Sequence, residues 1–415
     1  MDEKSVFEYI LLHQQAFNER LNLVPSENSL SVNARLAFLT DVLNRYYFPL
    51  DRNHPAFPGN EFIERIYERC RELLAEAAGA RFINIRPISG LSAMTIAFAG
   101  LTRGGDTVAT FSPANGGHTI TAALAGRLGV RLTHLPYLQE EFCVDISALP
   151  DFISRERVSL IYLDQQHILF PHKVREMRAV IPPEVKIYYD GSHVMGLIFG
   201  KNFQEPLNEG ATFLGGSTHK TIPGPHKAFI ATNDEELYKR LLGWSGGFVS
   251  HDHGADVAAL AIVLEEMRGK WESYAAQVIK NAQYFARRLA EKGFNLFASK
   301  LGFTKSHQLW IDIGAHMEAF DAAMALSRCN IIVNTYKLPA VTERWALRLG
   351  VQEVTYLGAK EREMEALADM FEKILITRSV SEEEIRRRVA EIKKRLLPPI
   401  NRDWLEKTLE KLNGR

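Results

Sequence analysis

Gly215-Gly216-Ser217-Thr218-His219-Lys220-Thr221, read with Tyr188-Tyr189-Asp190-Gly191-Ser192-His193, decides the fold of this 415-residue chain. Both stretches follow short apolar runs, both carry a histidine, and Asp190 precedes Lys220 by thirty positions. A lysine amine can hold an aldehyde cofactor as a Schiff base, and a carboxylate at a strand end can keep a pyridine nitrogen protonated so that the ring draws electrons from the substrate. Alone, either residue would read as a solvated lysine or an ordinary strand-end aspartate. Together, in this order, they point to pyridoxal 5'-phosphate.

Working outward, β-rich runs at 82–85, 107–111, 158–163, 185–189, 212–214 and 228–231 are separated by helix-like stretches such as 90–101 and 121–128. That rhythm predicts an α/β fold with a mostly parallel sheet, helices on both faces, and the chemistry on loops at the carboxyl ends of the strands. Upstream, 61–78 has helical periodicity, with Phe62, Ile63, Ile66, Cys70, Leu73 and Leu74 on one face. Downstream, 258–292 reads as one long amphipathic helix leading to strand-like 307–313, 331–334 and 345–349, and the charged tail after Glu382 reads as a solvated helical face. Three parts are expected: an arm over 1–45, a large cofactor-binding domain over 46–275, and a smaller α+β domain over 276–415.

Composition narrows the partners. Fifty basic residues balance fifty acidic ones, so no global field draws the protein to nucleic acid or an anionic membrane. Cys70, Cys143 and Cys329 are far apart, which argues against a disulfide framework or a structural zinc site. No basic leader precedes an apolar stretch and no run approaches a membrane span, so a cytoplasmic protein acting on small molecules is expected.

Several positions carry chemistry in their own right. Ser89-Gly90 lies between a strand and a helix, where free N–H groups and the helix dipole favour a phosphate, although the same serine would serve as an N-cap without any ligand. Ser217, three residues before the lysine, belongs to the same expected cofactor pocket. His118 follows Gly116-Gly117 in a strand-to-helix loop. Arg348 stands in the apolar run Trp345-Ala346-Leu347-Arg348-Leu349, where an unpaired guanidinium is costly, so it requires a fixed anion: a substrate carboxylate or an internal acid. His251-x-His253 lacks a third separated ligand, and no metal is assigned.

These motifs resemble the serine hydroxymethyltransferase branch of the aspartate-aminotransferase-like, fold type I, pyridoxal phosphate enzymes. The resemblance runs from Leu23-Val24-Pro25-Ser26-Glu27-Asn28 through Asn44-Arg45-Tyr46, Arg86-Pro87-Ile88-Ser89-Gly90 and Gly116-Gly117-His118 to Arg348-Leu349-Gly350. It implies that His118 stacks on the pyridine face, that His193 partners the phenolic oxygen, and that His219 lies near the cofactor. It also implies that Ser26, Tyr46 and Arg348 hold the amino acid. The resemblance further implies a homodimer, or a dimer of dimers, with shared sites to which a neighbour contributes Tyr46 and the Gly254 loop.

The departures are as informative. Phe48, in Tyr46-Tyr47-Phe48-Pro49, replaces the glutamate that serves folate-dependent hydroxymethyl transfer in the family. The family's paired tyrosines give way around Pro55-Ala56-Phe57-Pro58-Gly59, and Gln166 takes the place of a serine. There, Leu163-Asp164-Gln165, Thr221-Ile222-Pro223-Gly224-Pro225 and Leu349-Gly350-Val351-Gln352 look like L-threonine transaldolases, folate-independent relatives of the same fold. The expected activity is retro-aldol cleavage of a β-hydroxy α-amino acid such as L-threonine, leaving a glycyl carbanion that adds to another aldehyde. A folate-dependent hydroxymethyltransferase, a plain threonine aldolase and a non-catalytic scaffold remain as alternatives. The base for the β-hydroxyl is open among Glu27, His118 and water.

Overall fold

The computed structural model describes residues 4–48, 57–339, 341–396 and 410. Pro49, Pro55 and Ala56, named above among the departures, lie outside them. Two compact units divide the chain: Asn28–Ala276 with Pro399–Arg415 forms one, and Met1–Glu27 with Gln277–Pro398 forms the other. The stretch 1–45 is therefore shared between the units. No helix is long and apolar enough to cross a membrane among the described residues.

The larger unit is built on a seven-stranded sheet of β1 (Phe82–Asn84), β2 (Thr107–Thr110), β3 (Arg131–His134), β4 (Val158–Leu163), β5 (Lys186–Asp190), β6 (Phe213–Ser217) and β7 (Ala228–Thr232), in the order β1-β7-β6-β5-β4-β2-β3. Six strands run parallel, while β7 pairs antiparallel with both β6 and β1. The near-continuous burial of β4, β5 and β6 fits a sheet covered on both faces. Phe98, Leu160, Tyr162, Tyr188 and Phe213 meet in the core beneath one of those faces.

Local sequence explains the helices that frame the site. α1 (Val6–Asn18), in the smaller unit, is closed by a Ser5–Glu8 capping box. α2 (Glu61–Ala78) buries Ile63, Tyr67, Cys70, Leu73 and Leu74 at helical spacing and stops at Gly79. α3 (Gly90–Leu101) begins at Ser89, whose hydroxyl accepts the Ser92 N–H at 3.1 Å. The single helix expected over 258–292 is two, α4 (Gly254–Met267) and α5 (Trp271–Glu291). The break falls at Gly269, whose φ of 73° a right-handed helix does not admit.

In the smaller unit, β8 (Asn295–Leu296), β9 (Gln308–Asp312), β10 (Asn334–Leu338) and β11 (Val341–Gly350) form an antiparallel sheet ordered β8-β9-β11-β10. Leu21–Asn22 pairs in parallel with Ile331–Ile332. The charged tail is the helix α6 (Glu382–Arg395), and it is not wholly solvated: Ile385, Val389 and Ile392 are buried along one face. Its high charge content masked that apolar stripe.

Candidate active site

In the larger unit the sequence motifs converge at the carboxyl ends of β5 and β6. Asp190 closes β5, and its carboxylate is braced from two sides: Oδ1 accepts the Ser192 N–H at 3.0 Å and the Ser192 hydroxyl, while Oδ2 accepts the Tyr162 hydroxyl at 3.1 Å. A carboxylate braced in this way is held in one orientation. Gly216 on β6 makes the approach possible, because its φ is 135° and a Cβ there would lie 2.4 Å from Ser192 Oγ and 2.7 Å from Asp190 Oδ1.

Lys220 stands in the turn between β6 and β7. Thr218 closes that turn, its hydroxyl donating to the Pro225 carbonyl at 2.8 Å and its N–H to the Lys227 carbonyl at 2.9 Å. Asn28, from the Ser26-Glu27-Asn28 stretch, donates its amide to the Lys220 carbonyl at 2.6 Å, and Tyr274 donates its hydroxyl to the Thr221 carbonyl at 3.0 Å. Neither Asn28 nor Tyr274 was singled out from sequence; the signal for Asn28 was its place in a quoted motif, and Tyr274 had none.

The hydroxyls expected to take a phosphate are gathered in one place. A Cβ on Gly90 would sit 2.6 Å from Ser217 Oγ and 3.3 Å from Ser192 Oγ, at the first residue of α3. The Ser217 N–H donates to Ser192 Oγ at 2.9 Å, and Ser89 caps the same helix. His193 is buried just beyond β5. His219 stacks on His226 with ring centroids 4.1 Å apart. Burial, helped by Lys220 and His226, pushes the His219 pKa down to about 3, so the ring is neutral across the physiological range. Its buried Nδ1 has no hydrogen-bond partner among the described residues, which marks a place for a polar group the chain itself does not supply.

His118 rides on the loop between β2 and the short helix Thr121–Arg127. Its ring is exposed in the single chain, yet enough of it is enclosed for desolvation to lower its pKa; Asp190 opposes that shift and Lys220 reinforces it. The donors, the carboxylate, the lysine and neutral His219 fit pyridoxal phosphate.

Two further residues named from sequence lie elsewhere in this unit. Gly254 opens α4, and a Cβ there would strike the carbonyl oxygens of Arg45 and Val42 at 2.5 and 2.6 Å. Tyr46 stacks on His251 at 4.2 Å and meets Phe57 edge-on at 4.9 Å; Phe48 meets the same Phe57 ring at 5.4 Å. Phe48 also lines a cleft of about 210 Å³ walled by Tyr47, Tyr67, Arg86 and Asp252. Among the described residues, no group of three or more His, Cys, Asp or Glu side chains could hold a metal ion.

The smaller unit carries Arg348 and Ser26. Arg348 is 2% exposed on β11, between Trp310 of β9 and Asn334 of β10. Its Nε donates to Asn334 Oδ1 at 3.2 Å and its guanidinium lies 4.2 Å from the Tyr336 ring centroid. Burial pushes its pKa down to about 10, with Tyr336 opposing, which leaves it charged at neutral pH. Three bonds tie the Ser26 segment to the same strand region: Gly350 N–H to the Leu23 carbonyl at 2.8 Å, and Gln352 Nε2 to the Val24 and Glu27 carbonyls at 2.8 and 2.7 Å. His307 Nε2 pairs with the Pro25 carbonyl at 3.1 Å, and Asn22 donates to both Glu27 and Glu353 at 2.8 Å. Asn22 and His307 escaped the sequence reading, and Gln352 was quoted only as part of a motif, because a buried amide or imidazole carries no reactive signature in sequence.

The family model for serine hydroxymethyltransferase matches residues 1–371. A serine hydroxymethyltransferase from Archaeoglobus fulgidus is 35% identical over 404 residues, covering 95% of this chain and 92% of that one. An L-threonine:uridine-5'-aldehyde transaldolase from Amycolatopsis is 38% identical over 361 residues, covering 85% and 87%. The crystal structure of an L-threonine transaldolase from Pseudomonas fluorescens, in its internal aldimine state, superposes with a TM-score of 0.87 at 27% identity, covering 94% of this chain and 91% of that one. With Lys220 and Asp190 at adjoining strand ends of a fold type I sheet, this chain belongs to the serine hydroxymethyltransferase family of pyridoxal phosphate-dependent enzymes.

Proposed function

We propose that this chain is a folate-independent enzyme of the L-threonine transaldolase type, cleaving a β-hydroxy α-amino acid such as L-threonine between Cα and Cβ and transferring the glycine unit to a second aldehyde. Phe48 carries this reading. An apolar ring packed against Phe57 stands where the family resemblance calls for the glutamate of folate-dependent transfer, and a hydrocarbon ring neither gives nor takes a proton. The similarity to two transaldolases supports the same conclusion.

When bound, the cofactor supplies an electron sink for the carbanion that bond cleavage leaves on Cα. The chain's own residues do the rest. Lys220 is the attachment point, Asp190 keeps the pyridine nitrogen protonated, and Ser89, Gly90 and Ser217 receive the phosphate together with Gly254 from a second copy of the chain. His118 would cover the ring face, His193 would bond the phenolic oxygen, and neutral His219 would lie beside the attachment point. Arg348 takes the substrate carboxylate through two parallel N–H bonds, with Ser26 and a second copy's Tyr46 holding the rest of the amino acid. By holding the amino acid in one orientation, Arg348 and His118 would set which bond at Cα breaks. Burial lowers the pKa of His118, which favours the neutral ring that can accept a proton. α1 buries none of its side chains and exposes Val6, Phe7, Tyr9 and Ile10, which supports assembly into a homodimer or a dimer of dimers.

Mass spectrometry of products from isotopically labelled threonine and an added aldehyde, without folate, tests the reading. A crossed β-hydroxy amino acid carrying the labelled glycine unit is expected. Turnover of serine that requires tetrahydrofolate, with no crossed product, would establish the hydroxymethyltransferase instead; glycine and acetaldehyde alone would establish an aldolase.

A further inference from the structure

Behind the His118 loop lies a buried carboxyl that the chemistry above does not use. Asp164 follows β4 directly, is 4% exposed, and sits beside the end of β5, which carries Asp190. Its Oδ1 accepts the Phe111 N–H at 3.2 Å, and its Oδ2 accepts the His118 N–H at 3.3 Å and the Thr121 hydroxyl at 2.6 Å. One side chain thus holds the loop where it leaves β2, at His118 itself, and where the next helix begins. The two following residues continue the contact: Gln165 Nε2 donates to the Asn115 carbonyl at 2.7 Å, and the Gln166 N–H to the Gly116 carbonyl at 2.8 Å.

Burying a carboxyl is unfavourable unless it is well bonded. Here desolvation, joined by the neighbouring Asp190, pushes the pKa of Asp164 up to about 7 in spite of the three donors that stabilise its ionised form. An apolar side chain would avoid that cost but could accept none of the donors. The group that tolerates burial here is therefore one with two acceptor oxygens facing opposite ends of a loop.

We propose that Asp164 is a positioning residue that fixes the backbone of the 111–121 loop and thereby sets the His118 ring over the cofactor. The inference rests on the reading of His118 as the residue that covers the ring face. It extends that reading to a carboxylate bonded at three points to the loop that carries His118. Asp164→Asn is the discriminating change, because an amide of the same shape has one acceptor oxygen and would turn its NH2 toward an N–H at one end of the loop.

Hydrogen–deuterium exchange of the holoenzyme and of the cofactor-free protein, with visible circular dichroism of the bound cofactor, tests the proposal at pH 8. For Asp164→Asn we expect amide exchange over 111–121 to rise about tenfold, the dichroic band to fall by about half or more, and exchange over 158–163 and 186–190 to stay at wild-type rates. Thr121→Val, which removes one donor, should move the same signals less, and it stands in if the asparagine variant does not fold. Unchanged exchange over 111–121, or a rise spread evenly through the sheet strands, would overturn the proposal. His118→Ala separates the two claims. If it abolishes the band while Asp164→Asn leaves loop and band alone, His118 covers the ring without help from Asp164. If it leaves the band intact, the ring-covering role falls and the proposal falls with it.

Discussion

The two units hold their reactive groups by different means. In the larger unit, Asp190 is held by a backbone N–H and by hydroxyls, and the Lys220 turn by the Thr218 hydroxyl and the Asn28 amide, through several short bonds to carbonyl and carboxylate oxygens. In the smaller unit, one long side chain, Arg348, is buried in a sheet and orientated by an amide and an aromatic ring. A cofactor that stays through many turnovers is matched by a rigid backbone frame. On the proposed reading, a substrate that comes and goes would meet in Arg348 a charged group already stripped of water, whose bond to a carboxylate would gain strength from that desolvation. Damage to the first unit should therefore appear in the cofactor, and damage to the second in amino acid affinity.

The largest effect expected is from Lys220→Ala. Borohydride reduction followed by peptide mapping should mark Lys220 in the wild type, and the variant should carry no covalent label. Labelling at another lysine would break the comparison at its root. Arg348→Ala should leave the cofactor spectrum intact and weaken amino acid binding by roughly two orders of magnitude, since truncating one partner of a buried charge pair costs about 2 to 5 kcal/mol. An affinity within twofold of the wild type, read by spectral titration with glycine, would make Arg348 a structural residue.

Gln352→Leu sharpens the contrast at smaller scale. It removes two bonds to the Ser26 segment without touching charge, so amino acid affinity should fall about tenfold while cofactor binding is unchanged. Loss of cofactor from this variant would show that the two functions are not separable. The smallest effect expected concerns acid stability of the larger unit. His172, buried between Phe111 and Tyr189, is pushed down to about 3 by burial alone. Its folded pKa lies below the ordinary value near 6.5, so its contribution is intact above that value and is lost as pH falls toward 3. The His172→Phe variant should lose less melting temperature across that window, the limit being about 1.4 kcal/mol per pH unit. Parallel acid curves for the two proteins would remove His172 from the account.

The fold was legible because α/β architecture writes itself into periodicity: 61–78, 90–101 and 158–163 have the same bounds as α2, α3 and β4. What misled was regularity interrupted by one residue, as at Gly269, or hidden by charge, as in α6. Lys220, Asp190 and Arg348 could be named from sequence because reactive or buried charged groups in apolar runs demand a reason. Asp164, Asn28 and Gln352 could not, since their importance lies in which carbonyl or N–H they meet, sometimes more than three hundred positions away. Asp164 was even quoted in a motif, but nothing in Leu163-Asp164-Gln165 says that a carboxylate there faces a loop fifty residues upstream.

The antiparallel strand β7 has a consequence for how the protein is made. It is inserted between β6 and β1, with Asn84 opposite Ile230. The segment that caps α3 leaves from the end of β1, and the Lys220 turn leads directly into β7, so both await the same distant pairing. Loop closure over that separation is unfavourable until the contacts form, and sheets dominated by such pairings fold slowly. A ribosome-bound chain that has not yet released residue 232 therefore has Lys220 already synthesised but no place to put it, and affinity for the cofactor should arise late and abruptly during synthesis.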